Sequence, residues 1–145
     1  EIGDRAQLAR SFGNQAGILL TQGKLNEALA LYKKQEKICE ELGDRAGLAR
    51  SFGNQALILK AWGKLDEAMA LHKKEETIKE ELGDRAGLAR TWWNQGNIYN
   101  KKGDYKKQAH LWQKSIQINK TMGIPTEEDE KKLEELEKKI RRSKK

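Results

Sequence analysis

An arginine and an asparagine recur four residues apart, as Arg10 and Asn14, Arg50 and Asn54, Arg90 and Asn94, each pair 40 residues from the next. A guanidinium can fork a carboxylate with two charge-assisted hydrogen bonds. An asparagine amide offers both donor and acceptor, so it can pair with the backbone of an extended peptide of any sequence. Offsets of 0, 3, 4, 7 and 11 fall on one face of a helix. On those offsets stand Gly13, Gly17 and Thr21 in the first copy, Gly53, Leu57 and Ala61 in the second, and Trp93, Asn97 and Lys101 in the third. A mid-helix glycine costs roughly 1 kcal/mol relative to alanine. Gly13 and Gly53 therefore make sense where something approaches the backbone closely. Trp93 breaks the series and offers an apolar or stacking contact at one end. The chemistry of this face is recognition of an extended peptide that carries carboxylates. A structural account of the same residues stands beside it. Near-identical copies duplicate every residue, and arginines can pair with neighbouring acids, asparagines with neighbouring backbone, and glycines with a packed helix.

Catalysis has no comparable support. No nucleophile stands beside a base, and there is neither a phosphate-cradling loop nor an isolated carboxylate pair. His110 has no partner histidine or cysteine at ligand spacing, and the single Cys39 excludes an intrachain disulfide or cysteine cluster. The expectation is no enzyme activity, no cofactor and no metal. His72 aligns with Tyr32 and Trp112 at an inward position, which predicts a packed histidine. Cys39 aligns with Lys79 and Asn119, which predicts an exposed thiol.

The elements that must position this face follow from the period. The tract Gly-Asp-Arg-Ala occurs at Gly3, Gly43 and Gly83, and a fourth glycine, Gly123, keeps the spacing. This divides the chain into repeats 3–42, 43–82 and 83–122, followed by segment 123–145. The first two repeats match at about 29 of 40 positions and the second and third at about 15, by direct alignment. Gly23, Gly63 and Gly103 split each repeat into two helices, A and B, since glycine fits the left-handed residue that closes a helix. Asp4, Asp44 and Asp84 are placed to cap the A helices. Arg5, Arg45 and Arg85 sit beside these caps, ready to pair with nearby acids. Leu48, Phe52, Ala56 and Leu59 form an amphipathic stripe on the second A helix, and Leu65, Ala68, Leu71, His72, Ile78 and Leu82 do so on its B helix. After Pro125, Thr126 reads as an N-cap, and Leu133, Leu136 and Ile140 give one narrow apolar stripe. A basic end, Lys138 to Lys145, complements the helix dipole. That helix caps the third repeat. Nothing equivalent precedes the first, which predicts exposed apolar surface there and end-to-end self-association.

Repeat three carries Trp92, Gly96, Tyr99, Gly103, Tyr105 and Trp112. In order and spacing this resembles the tetratricopeptide repeat (TPR). Repeats one and two keep the pattern as Phe12, Ala16, Leu19, Gly23, Ala28, Tyr32 and Phe52, Ala56, Leu59, Gly63, Ala68, His72. The 40-residue length and the Phe-Gly-Asn-Gln-Ala tract are similar to the long Leu-Gly-Asn-type and kinesin-light-chain-type repeats. The resemblance implies an all-α, right-handed α-solenoid of three helix-turn-helix repeats plus a capping helix. It also implies a protein or peptide partner, extended and acidic, held in a concave groove lined by the A helices. Gln15, Gln55 and Gln95 depart from the usual leucine. Gln108 replaces the small residue of Ala28 and Ala68, which leaves the third pair's packing open.

The net charge of +7 suits an anionic partner. Nucleic acid is a further alternative, disfavoured because acidic residues are interspersed throughout and no nucleic-acid module is evident. Another alternative is a designed or consensus-like scaffold with no native ligand, suggested by the near-copy repeats. No apolar run approaches membrane-spanning length and no signal peptide is visible. A reduced, cytoplasmic setting with no membrane partner is the default. The start at Glu1 suggests a fragment or a trimmed chain.

Overall fold

Leucine, alanine and the long charged residues dominate, all strong helix formers, and glycines punctuate them at fixed intervals. In the computed structural model, which describes residues 1–144, the outcome is seven helices. They are α1 (Ile2–Thr21), α2 (Leu25–Leu42), α3 (Arg45–Ala61), α4 (Leu65–Leu82), α5 (Arg85–Lys102), α6 (Tyr105–Thr121) and α7 (Glu127–Ser143). No strand is present among the described residues, and no helix of these is long and apolar enough to cross a membrane. Lys145, the last residue of the predicted basic end, lies outside the described residues.

The caps work as their spacing predicts in two of the three repeats. Asp44 accepts the backbone N–H of Gly47 at 2.9 Å, and Asp84 that of Gly87 at 2.9 Å. Asp4 does not cap. Helix α1 starts earlier, at Ile2, and Asp4 lies inside its first turn. The physical difference is the preceding glycine. Gly43 and Gly83 sit at φ 70° and 67°, where α2 and α4 end. Gly3 ends no helix, so the first turn of α1 winds straight through it.

The chain divides into two compact units, Glu1–Ile78 and Lys79 onward, with α4 running through the division. In the first unit α1 packs on α2 and α2 on α3. One apolar cluster holds Ala9, Ile38, Cys39, Leu48, Ala49, Phe52 and Ile78, and a second holds Ala16, Ala28, Tyr32 and Ile58. In the second unit α5 packs on α6 and α6 on α7. Leu136 of α7 is buried against Ala109 and Trp112, flanked by Leu133, Ile140, Tyr105 and Trp93. The stripe read from Leu133, Leu136 and Ile140 is thus the face that α7 lays on the helices before it. An ion pair between Lys120 and Glu130 adds to this junction.

Gln108 is buried, yet it is satisfied. Its side-chain carbonyl accepts a hydrogen bond from the Asn100 amide at 3.1 Å. A buried amide is tolerated when it is hydrogen-bonded, so the third helix pair closes without the small residue.

Cys39 overturns its sequence reading. It is buried to 1% exposure, not exposed. The alignment with Lys79 and Asn119 misled because those side chains are polar and only half-buried. The lysine in particular reaches past the cap to Asp84 at 3.2 Å. The short thiol instead remains in the core, 3.8 Å from Asp44. Burial, and then the Asp44 carboxylate beside it, push the thiol up to about 11. Thiolate is the nucleophile, so alkylation of the folded chain at pH 8 should run about a hundredfold slower than in urea-unfolded chain. Quantifying iodoacetamide adducts by intact mass tests this, and equal rates in both states would contradict the burial.

Candidate peptide-binding face

The predicted face belongs to the A helices, so α1, α3 and α5 carry it. In the first unit Arg10 and Asn14 lie on α1 and Arg50 and Asn54 on α3. In the second, Arg90, Trp93, Asn94 and Asn97 lie on α5. The three arginines are exposed, as is Asn14, and Asn54, Asn94 and Asn97 are half-buried. None of the three guanidinium groups forms an ion pair among the described residues. The neighbouring arginines behave differently. Arg5 pairs with Glu41, and Arg85 donates to the Thr121 hydroxyl at 2.9 Å. The cap-side arginines are therefore structural, while those on the A-helix face retain their donors.

The glycines on this face have a different role from the one their exposure to a ligand would require. A methyl group added at Gly13 would overlap the side-chain amide of Gln35, and one at Gly53 would overlap the carboxylate of Glu75. Both notches are filled from the B helix of the same repeat. Gln35 and Glu75 are correspondingly buried. Close packing within the repeat accounts for both glycines, since a side chain of the B helix occupies each notch.

Repeat three inverts the arrangement. Where repeats one and two pair glycine with Gln35 or Glu75, α5 carries Trp93 and α6 the small, buried Ser115. The bulk has moved from helix B to helix A. Trp93 stacks flat on Trp112 with ring centroids 4.0 Å apart, and the Trp112 indole N–H donates to the Trp93 carbonyl at 3.3 Å. Gly96 makes room for this. A methyl there would come within 2.6 Å of Trp112, whereas Ala16 and Ala56 hold the equivalent position against the smaller Tyr32 and His72. Most of Trp93's ring is thereby engaged in the core that docks α7.

One wall of Trp93 nevertheless faces a cavity of about 290 Å³ in the second unit. Ala86, Arg90, Ser115, Asn119, Ile124 and Asp129 complete its lining. Helices α5 and α6, the turn at Ile124 and the first turn of α7 line this open hollow. It brings together two predicted residues, Arg90 and Trp93, but not Asn94 or Asn97. Asn119, Ser115 and Asp129 are additions that the repeat alignment did not reveal. They come from helix B and the cap, which had been read as scaffold.

His72 is fully buried, as its alignment predicts. Its Nδ1 lies 2.9 Å from Glu75 Oε1, which also positions the carboxylate that fills the Gly53 notch. A further regularity went unread in the sequence. Lys34 lies 5.6 Å over Phe12, Lys74 5.5 Å over Phe52 and Lys114 4.1 Å over Trp92. Each lysine is 22 residues beyond its aromatic, in every repeat. The constant interval was the available signal. The lysine stems shield the exposed edge of the aromatic stripe while the ammonium groups stay in water.

The sequence matches a family model described as tetratricopeptide repeat over residues 7–81, and a second of the same description over residues 89–121. No curated protein matches it. Among solved structures, the TPR domain of Arabidopsis FLU is similar with a TM-score of 0.75 at 18% identity, over 81% of this chain and 98% of that one. The N-terminal domain of stress-induced protein-1 from C. elegans gives 0.72 at 19% identity, over 92% and 97%. BtubC (BKLC) from P. vanneervenii gives 0.75 at 20% identity over 81% of this chain, which spans only about half, 48%, of that protein. At these identities the likeness is one of fold.

Proposed function

The chain belongs to the tetratricopeptide-repeat family, whose repeats are protein-interaction scaffolds, and on that premise we propose that it holds an extended peptide bearing carboxylates. The cavity beside Arg90 carries this reading. Its size admits one side chain or a chain terminus. Ile124 and Trp93 supply apolar walls, Ser115 and Asn119 supply hydrogen-bonding groups, and Arg90 supplies a cation with no ion pair among the described residues. Asp129 on the same lining disfavours a ligand group that lies on its side, which orients a carboxylate toward Arg90. In the first unit, Arg10 with Asn14 and Arg50 with Asn54 offer the same pair of functions on exposed helix surface. The asparagine amides suit main-chain groups of the ligand and the guanidinium forks suit its acids.

Labelled extended peptides titrated by fluorescence anisotropy test the proposal. A peptide with alternating Asp and Glu should bind more tightly than its Asn and Gln counterpart. Arg90→Glu should weaken the acidic peptide by at least tenfold, about 1.4 kcal/mol, and Arg50→Glu should weaken it further. Binding should also weaken as salt is raised. Equal affinity for both peptides, unmoved by either substitution, would refute the reading. Salt-steep binding of duplex DNA with no peptide binding would replace it with a nucleic-acid interface.

A further inference from the structure

The residues that α3 uses to pack on α2 are all present on α1, where no helix among the described residues packs over them in the same way. On α3 the face is Leu48, Ser51, Gln55 and Ile58, and on α1 it is Leu8, Ser11, Gln15 and Ile18, identical at all four positions. Leu48 is 5% exposed and Ile58 0%, whereas Leu8 is 43% exposed and Ile18 60%. Ser51 donates to the Tyr32 carbonyl of α2 at 2.7 Å, and the Gln55 amide donates to Glu36 of α2 at 2.7 Å. Gln55 is also tied to Ser51 at 3.1 Å within its own helix, and on α1 the matching bond from Gln15 to Ser11 is already formed at 3.2 Å. The donors of α1 are thus set in the geometry that α3 uses, without their acceptors.

We propose that this face of α1 docks a partner helix of α2's chemistry. Such a helix presents a main-chain carbonyl at an aromatic position to Ser11 and a glutamate one turn later to Gln15. Its small and branched apolar residues cover Leu8 and Ile18, as Cys39 and Ile38 share the cluster of Leu48 and as Tyr32 and Ala28 share that of Ile58. The internal α2–α3 junction is the template for both the apolar and the polar half of the match. A second copy of this chain is a poorer occupant, because its α2 is already covered by α3, and its α4 has His72 and Lys79 where α2 has Tyr32 and Cys39. The proposal does not rest on the peptide groove: Arg10 lies off the stripe of Leu8, Ser11, Gln15 and Ile18, and Asn14, three residues from Ser11 and four from Ile18, borders it.

A graft tests it on the full chain. Residues 23–40 are added directly before Glu1, so that Glu1 and Ile2 take the register of Glu41 and Leu42. The added segment should become helical by circular dichroism, the urea midpoint should rise, and α1 amides should exchange about tenfold more slowly. Ile18→Arg should abolish these gains in the extended chain. The same substitution in the parent chain, where Ile18 is exposed, should leave the urea midpoint unmoved, which separates lost docking from lost folding. An added segment that stays unprotected, or gains that survive Ile18→Arg, would overturn the proposal. Sedimentation of the parent provides the remaining outcome. A dimer at micromolar concentration that Ile18→Arg converts to monomer would assign the face to a second copy and overturn it as well.

Discussion

Replacing Trp112 with alanine is expected to cost about 3–5 kcal/mol, the range for removing a large aromatic from a core. Three losses fall together at this position. The ring leaves the stack with Trp93, centroids 4.0 Å apart, and its N–H no longer reaches the Trp93 carbonyl. The cluster that buries Leu136 of α7 also loses its largest member. The cavity cannot close easily, because Gly96 opposite carries no side chain to move into it. Urea unfolding followed by circular dichroism measures the cost, and hydrogen exchange locates it. Amides of α7 should lose protection before those of the first unit. A loss below about 1 kcal/mol with α7 still protected would mean that the cap does not depend on the tryptophan stack. Trp112→Phe keeps one six-membered ring and loses the N–H together with part of the stacked area, so an intermediate cost of about 1–3 kcal/mol is expected for that variant.

Gly53→Trp should be nearly as damaging, at about 3 kcal/mol, although tryptophan is the natural residue at the equivalent position of α5. The notch at Gly53 holds the Glu75 carboxylate. An indole there must expel Glu75, and His72 then loses the partner 2.9 Å from its Nδ1 while remaining buried. In repeat three the tryptophan is matched by Ser115, which leaves the space open. Adding Glu75→Ser to Gly53→Trp should therefore recover at least about 1 kcal/mol relative to the sum of the single changes, the coupling expected for residues in contact. A double-mutant cycle in urea measures it. Additivity within about 0.5 kcal/mol would show that Gly53 and Glu75 do not share one space.

The same pair explains a misreading of the face. Gly13 and Gly53 sit in the middle of a helix, and a close approach was the correct physical inference. The identity of what approaches was not readable from one helix alone. Yet the sequence contained a clue across helices, because Gln35, Glu75 and Ser115 shrink where Gly13, Gly53 and Trp93 grow. The lysines over Phe12, Phe52 and Trp92 were legible in the same way, through an interval that never changes. The cavity beside Arg90 was not. Ser115, Asn119, Ile124 and Asp129 fall on three segments with no common spacing to Arg90, and only the docking of α7 on α6 brings the last of them near.

By itself the sequence determined what local physics controls. The 40-residue period, the helix limits, the glycine turns and the apolar stripes follow from backbone preference, capping and a 3.6-residue repeat. Those forces act over a few residues, and where the preceding residues differ, as at Asp4, so does the outcome. Burial is different, because it depends on what lies opposite. Leu8 and Leu48, or Ile18 and Ile58, hold the same position in their repeats and have opposite exposures in space. Which face is covered and which is exposed, which glycine is filled from within, and which arginine keeps its donors were decided only by the tertiary structure.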